Sequence, residues 1–125
     1  MSAFAYEIHK CSRSVEPNYN VSHLVRAALQ DLSEGEGRID DDPSSINLAT
    51  MLSPKLMFSF PTPDDEGSGD DRYELRLYQD ESGHIVELFY QSSSCEPRDN
   101  RQLIMERFHD EDAWEQLHFV AGKEI

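Results

Sequence analysis

The sequence predicts an α+β fold made of one domain, residues 1–125, in which a small antiparallel sheet packs against helices. Two runs of alternating apolar residues flank a glycine-containing turn, and an apolar stripe at helical spacing precedes them. A length of 125 residues suits one domain with its own core. The strands are expected near residues 3–10, 55–60, 72–79 and 84–91, and the helices near residues 21–33 and 100–121.

The first strand is expected in the segment AFAYEIHK, residues 3–10. Phe4, Tyr6 and Ile8 would lie on one face of an extended chain, with shorter or polar residues on the other. Alternation that includes aromatic residues is typical of a half-buried strand.

A helix follows, because the apolar residues from Val21 to Leu32 recur every three or four positions. Such a stripe covers one side of a helix. Gly35 or Gly37 can end this helix, since glycine readily adopts the left-handed conformation that closes helices.

A polar, glycine-bearing connector separates this helix from the strand expected at 55–60. Leu56, Phe58 and Phe60 alternate along that strand, so they would share one face. Pro61 and Pro63 follow, and proline cannot donate a hydrogen bond to a neighbouring strand.

The segment RYELRLYQDESGHIVELFYQ predicts a hairpin with a defined register. With residues 80–83 as the loop and Gly83 at positive φ, apolar residues oppose one another on one face. A slip of one residue would scatter that apolar set over both faces. The predicted pairs are Leu77 with Val86, Leu75 with Leu88, Tyr73 with Tyr90, Arg76 with Glu87 and Tyr78 with Ile85.

The C-terminal part is expected to be helical over 100–121. Asp99 and Gln102 resemble a capping box, and Leu103, Ile104 and Phe108 would form an apolar helical face. A second helical segment would end at Gly122, although part of 110–121 could instead form a short strand.

The negative charge of the chain excludes several classes of partner. Twenty-five acids against eleven lysines and arginines give a formal net charge of −14. Nucleic acid backbones and anionic lipid repel such a chain, so we expect no direct binding to either. The N-terminus lacks the pattern of a signal peptide, which favours a cytoplasmic location and reduced thiols at Cys11 and Cys95.

No pattern in the sequence indicates a catalytic, cofactor or metal site. The five histidines and two cysteines lack zinc-site spacing, and the glycines form no nucleotide-binding loop. An EF-hand that starts at Asp64 would need an acid at its twelfth position, which is Leu75. We therefore expect a solvated loop at 64–71 rather than a calcium site, and a binding protein rather than an enzyme.

Three acidic clusters, at residues 31–42, 64–71 and 106–115, contain more than half of the 25 acids. Any one of them could be a solvated loop that maintains solubility, and the ratio of three lysines to eight arginines also fits salt adaptation. Taken together, they favour a surface that imitates rows of phosphates. The residues expected to bind a partner are Asp40, Asp41, Asp42, Asp64, Asp65, Glu66, Asp70, Asp71, Asp110, Glu111 and Asp112.

These observations lead to a hypothesis for the function. The chain would be an inhibitor that occupies the basic, nucleic-acid-binding surface of a protein partner. DNA-mimicking anti-CRISPR and anti-restriction proteins share its size and charge, although no motif connects them to this sequence. Two alternatives are an acidic secretion chaperone or toxin-immunity protein, which would present apolar surface, and a small enzyme without a local signature.

Overall fold

The structure is a computed structural model that describes residues 3, 4, 8, 21–40, 51–61, 72–92 and 99–122. Two helices and five strands lie within these residues. They are helix α1 (Val21–Glu34), strands β1 (Arg38–Asp40), β2 (Leu56–Pro61), β3 (Arg72–Asp80), β4 (Gly83–Ser92) and β5 (Asp99–Phe108), and helix α2 (Glu111–Ala121).

The strands form one sheet in the order β1-β2-β3-β4-β5, and each strand is antiparallel to the next. Alternate side chains of β2 to β5 form one hydrophobic core with the apolar sides of both helices. Phe58, Leu75 and Leu88 come from the sheet, and Val25 and Trp114 come from the helices. We call this side of the sheet the core face. The arrangement confirms the predicted α+β fold.

The β3–β4 hairpin has the predicted register at every position. All five predicted pairs are Cα partners, from Tyr73 with Tyr90 at one end to Tyr78 with Ile85 near the turn. Glu81 and Ser82 form the turn, and Gly83 has a φ of 134°. Asp80 Oδ1 accepts a hydrogen bond from the Ser82 backbone N–H at 2.8 Å, which fixes the turn locally.

The predicted helix at 21–33 is confirmed as α1, and the predicted strand at 55–60 is confirmed as β2. Gly35 follows α1 with a φ of 80°, as expected of a helix-ending glycine. β1 was not predicted. A Cβ on Gly37 would overlap the ring of Phe60, so glycine at this position lets β1 approach β2.

The strand predicted at 3–10 is wrong where the structure describes it, because Ala3, Phe4 and Ile8 are helical. Phe4 and Ile8 are four residues apart, a spacing that places side chains on one face of either a helix or a strand. Both are completely buried. The Asp31 carboxylate accepts hydrogen bonds from the backbone N–H groups of Ala3 at 2.7 Å and Phe4 at 3.0 Å. It thus satisfies donors that the first turn of a helix leaves unpaired.

The helix predicted over 100–121 is wrong in its first half, where β5 occupies Asp99–Phe108. Ile104 pairs with Leu88 but Gln102 pairs with Phe89, so Leu103 is the extra residue of a β-bulge. The bulge produces two consecutive core-directed apolar residues, which imitates a helical pattern in the sequence. The second half is confirmed as α2, which begins after Asp110 and ends at Gly122, where φ is 68°.

None of the helices in the described part of the chain is long and apolar enough to cross a membrane.

Candidate functional site

Of the eleven acids predicted to bind a partner, the structure describes Asp40, Asp110, Glu111 and Asp112. Asp40 is the last residue of β1 and pairs with Met57 of β2. The other seven lie outside the described residues, as do Cys11 and Cys95. They are Asp41, Asp42, Asp64, Asp65, Glu66, Asp70 and Asp71.

The strand pairing divides the acidic segments between two ends of the sheet. The turn end carries the β3–β4 turn, and the loop end is the opposite end, where Pro61 pairs with Arg72. Pro61 and Arg72, the described residues on either side of segment 62–71, lie at the loop end. The exposed Glu34 precedes Arg38 by four residues, and Arg38 pairs with Ser59, two residues from Pro61. The nine residues of β3 separate the two ends by about 27 Å at about 3.4 Å per residue.

Asp110 lies near the turn end instead, because it follows Phe108, whose strand partner His84 is next to the turn. Asp40 lies at neither end, because it pairs with Met57, and Met57 pairs with Arg76 in the middle of β3. The sequence did not indicate this distribution.

Asp110 has a structural role at the start of α2. Its Oδ1 accepts the Ala113 N–H at 3.1 Å, and its carboxylate receives two hydrogen bonds of 3.1 Å from the Arg26 guanidinium on α1. The hydrogen bond from Ala113, with the charge of Arg26, holds the pKa of Asp110 below its usual range. Asp110 therefore caps α2 and joins it to α1.

Glu111 and Asp112 are more open to solvent, with side chains 66% and 71% exposed. Glu111 Oε2 lies 2.9 Å from Nε2 of the buried His84. Asp112 lies 3.5 Å from Arg26 and accepts a hydrogen bond from Gln116 at 2.9 Å. Both carboxylates have intramolecular partners, and both can still be reached by another molecule.

His84 is stacked under Trp114, with ring centroids 3.9 Å apart and an angle of 16° between the rings. Among the described residues, neither His84 Nδ1 nor Trp114 Nε1 has a hydrogen-bond partner, and both atoms are buried. The pair fixes the start of α2 over the turn end of the sheet. The sequence did not reveal this contact, because the two residues are far apart in the chain.

A buried polar cluster lies on the sheet face opposite the core face. Glu87 is completely buried and accepts hydrogen bonds from the Tyr78 hydroxyl and the Gln102 amide. Burial, followed by the hydrogen bond and charge of Glu87, raises the pKa of Tyr78 to about 12. The phenol therefore stays protonated and donates to the carboxylate, which stabilises a charge that would be costly to bury alone.

Arg76 extends this cluster. It forms an ion pair with Glu74, and its guanidinium lies 4.2 Å from the centroid of the Phe89 ring. The predicted facing positions of Arg76 and Glu87 are confirmed, but the sequence did not show that this face is buried.

A chaperone would need exposed apolar surface, and the sheet face that carries this cluster also contains two apolar side chains. Ile85 is only 7% exposed, and Phe89 is half-buried, with the Arg76 guanidinium over its ring. Together these two apolar side chains expose only part of one ring.

One group of carboxylates could approach a cation. Single oxygens of Asp31, Glu34 and Glu36 lie within 4.8 Å of one another. The Asp31 carboxylate already accepts the N–H groups of Ala3 and Phe4, so its burial is explained by helix capping.

Comparisons of the chain with protein-family models, with curated proteins and with solved structures found no match in any of the three.

Proposed function

We propose that this protein is a non-enzymatic binding protein whose acidic surface occupies the basic, nucleic-acid-binding surface of a protein partner, in the manner of DNA-mimicking inhibitors. The observation that carries the proposal is the surplus of carboxylates, a net charge of −14. A basic partner would meet this surface rapidly, because opposite charges steer the encounter.

Three of the six arginines among the described residues support this proposal. Arg26 pairs with Asp110 and Asp112, Arg76 with Glu74, and Arg107 with Asp80. Positive charges that are held in these pairs cannot neutralise acids elsewhere on the chain. The uncompensated negative charge therefore lies on the remaining acids. Three of these acids, Glu34, Glu36 and Glu115, are exposed.

The test is capture from a cell lysate on the immobilised protein, followed by elution with salt or with defined DNA and RNA oligonucleotides. Charge reversal at Asp40, Asp41 and Asp42, or at Asp64, Asp65, Asp70 and Asp71, should each remove the captured partner and leave the unfolding transition unchanged. Binding should also weaken steeply with salt, because charges are screened over about 8 Å at physiological ionic strength.

Glu81→Lys is the control, because Glu81 is exposed in the β3–β4 turn and lies outside the three acidic clusters. It should leave binding almost unchanged. If the reversed variants capture the same proteins as the parent, or if no oligonucleotide elutes anything, the proposal is wrong.

A further inference from the structure

The outward side of α2 combines acidic residues with an exposed aromatic ring. Phe119 is 86% exposed and Val120 is 44% exposed, although the same helix completely buries Leu117. The chain thus has apolar residues on both sides of α2, but only one side packs against the sheet. The other side is open to a second molecule.

Asp112, Glu115, Gln116 and Phe119 have the spacing i, i+3, i+4 and i+7, so they form one stripe along the outward side. The hydrogen bond between Gln116 and Asp112 confirms that neighbouring members meet. The stripe is about 10 Å long at about 1.5 Å of rise per residue. It starts with two carboxylates and ends with the ring.

The inward side fixes the direction in which the stripe points. Ala113, Trp114, Leu117 and His118 are buried against the rest of the fold, and His118 Nδ1 lies 3.1 Å from the Trp114 carbonyl oxygen. The helix cannot turn to bury Phe119 without exposing this set. The ring is therefore held outward as part of a rigid surface.

We propose that this stripe contacts the partner, and that the partner is a protein whose groove binds single-stranded nucleic acid. This inference rests on the proposed function. The Glu115 carboxylate takes the place of a phosphate, and the Phe119 ring takes the place of a base. Grooves that bind single strands combine basic side chains with aromatic rings on which bases stack.

The exposed ring is the feature that favours a partner that binds single strands over one that binds a duplex. In a duplex the bases stack on one another, and a protein meets only their edges and the phosphates. A duplex-binding groove therefore needs no aromatic platform, and Phe119 would remain unpaired against it. Charge complementarity also favours a basic occupant, because Glu115 lies one helical turn before the ring.

The experiment uses the partner captured on the immobilised parent protein, identified and then purified. Binding of the labelled parent is measured in competition with a 20-nucleotide oligo-dT and with a 20-base-pair duplex. The single strand should displace the parent at a lower concentration than the duplex. Phe119→Ala should weaken binding about 5- to 150-fold, the range found when a stacked aromatic ring is removed.

Two further variants separate the ring from the charges. Phe119→Trp should retain binding, because it keeps a flat ring. Glu115→Gln should weaken binding and reduce its salt dependence, because each lost ionic contact lowers the salt slope. Met51→Ala is the control for a lost exposed apolar side chain, since Met51 is 73% exposed elsewhere on the chain, and it should bind like the parent.

The possible failures can be told apart. If nucleic acid displaces the parent but Phe119→Ala binds as tightly, or the duplex competes as well as the single strand, the inference is wrong and the proposed function stands. If no nucleic acid displaces any captured protein, the proposed function is wrong and the inference fails with it. If sedimentation shows a dimer that Phe119→Ala dissociates, the stripe is a self-interface, which also overturns the inference.

Discussion

Replacement of Asp31 should release the N-terminal segment from the fold. The Asp31 side chain is completely buried and accepts the backbone N–H groups of Ala3 and Phe4. Phe4 in turn packs on Phe60, with ring centroids 4.1 Å apart. One carboxylate on α1 therefore holds a helical segment that is 27 and 28 residues away in sequence.

The size of the effect follows from these contacts. Hydrogen bonds to a charged group contribute about 1.5–3 kcal/mol each. Asp31→Ala removes two of them, so the free energy of unfolding should fall by about 3 kcal/mol or more. Asp31→Asn keeps one carbonyl acceptor and should lose roughly half as much. Glu34→Ala is the control, because Glu34 is exposed on the same helix and should change stability by less than about 0.5 kcal/mol.

The assay is urea denaturation of the single variants and of a double-mutant cycle with Phe4→Ala. Phe4→Ala alone should cost about 3–5 kcal/mol, because it removes a buried aromatic ring. In the Asp31→Ala background it should cost much less, since the segment that carries Phe4 is already released. Fully additive losses would refute this reasoning, because they would mean that Asp31 does not position Phe4.

Four other predictions follow from the sheet. Leu75→Ala should lower the free energy of unfolding by about 2–5 kcal/mol, because Leu75 is completely buried. Arg76→Ala should lower it by about 3 kcal/mol, because the buried Glu74 carboxylate loses its ion pair. A small change in urea denaturation for either variant would contradict the placement of that residue. Hydrogen bonding from Arg107 lowers the pKa of Asp80 to about 2, so its stabilising contribution should be lost as pH falls from about 4 to about 2. In Arg107→Ala, NMR titration of the Asp80 carboxyl should show the midpoint rise but stay below about 3.9, because the backbone N–H groups of Ser82 and Gly83 still bond to it. Burial and a neighbouring carboxylate raise the pKa of Tyr78 to about 12, so stability should decline between about pH 10 and 12, and Tyr78→Phe should remove an absorbance transition near pH 12.

Local patterns that fit only one conformation were interpreted correctly from the sequence. In the β3–β4 hairpin the two strands are joined by a short turn, so the apolar alternation and Gly83 together permit one register. The stripe of α1 is similarly local, because its period of three to four residues fits no strand. The acid surplus is a property of composition, so the class of partner that we propose follows from the amino-acid content alone.

Tertiary structure decided the elements whose local pattern fits two conformations. Side chains four residues apart share a face in both a helix and a strand. The spacing of Phe4 and Ile8, and that of Ile104 and Phe108, therefore could not distinguish a helix from a strand. Asp31 made the first pair helical by accepting N–H groups at the start of that segment, and pairing with β4 made the second pair part of a strand.

The roles of individual acids were likewise decided by partners distant in sequence. Arg26 lies 84 residues before Asp110, and their ion pair turns a predicted binding residue into a cap and a link between helices. The outward position of Phe119 also depends on which side of α2 the sheet covers. The sequence contains these residues but not their contacts, because contacts between distant segments exist only once the chain has folded.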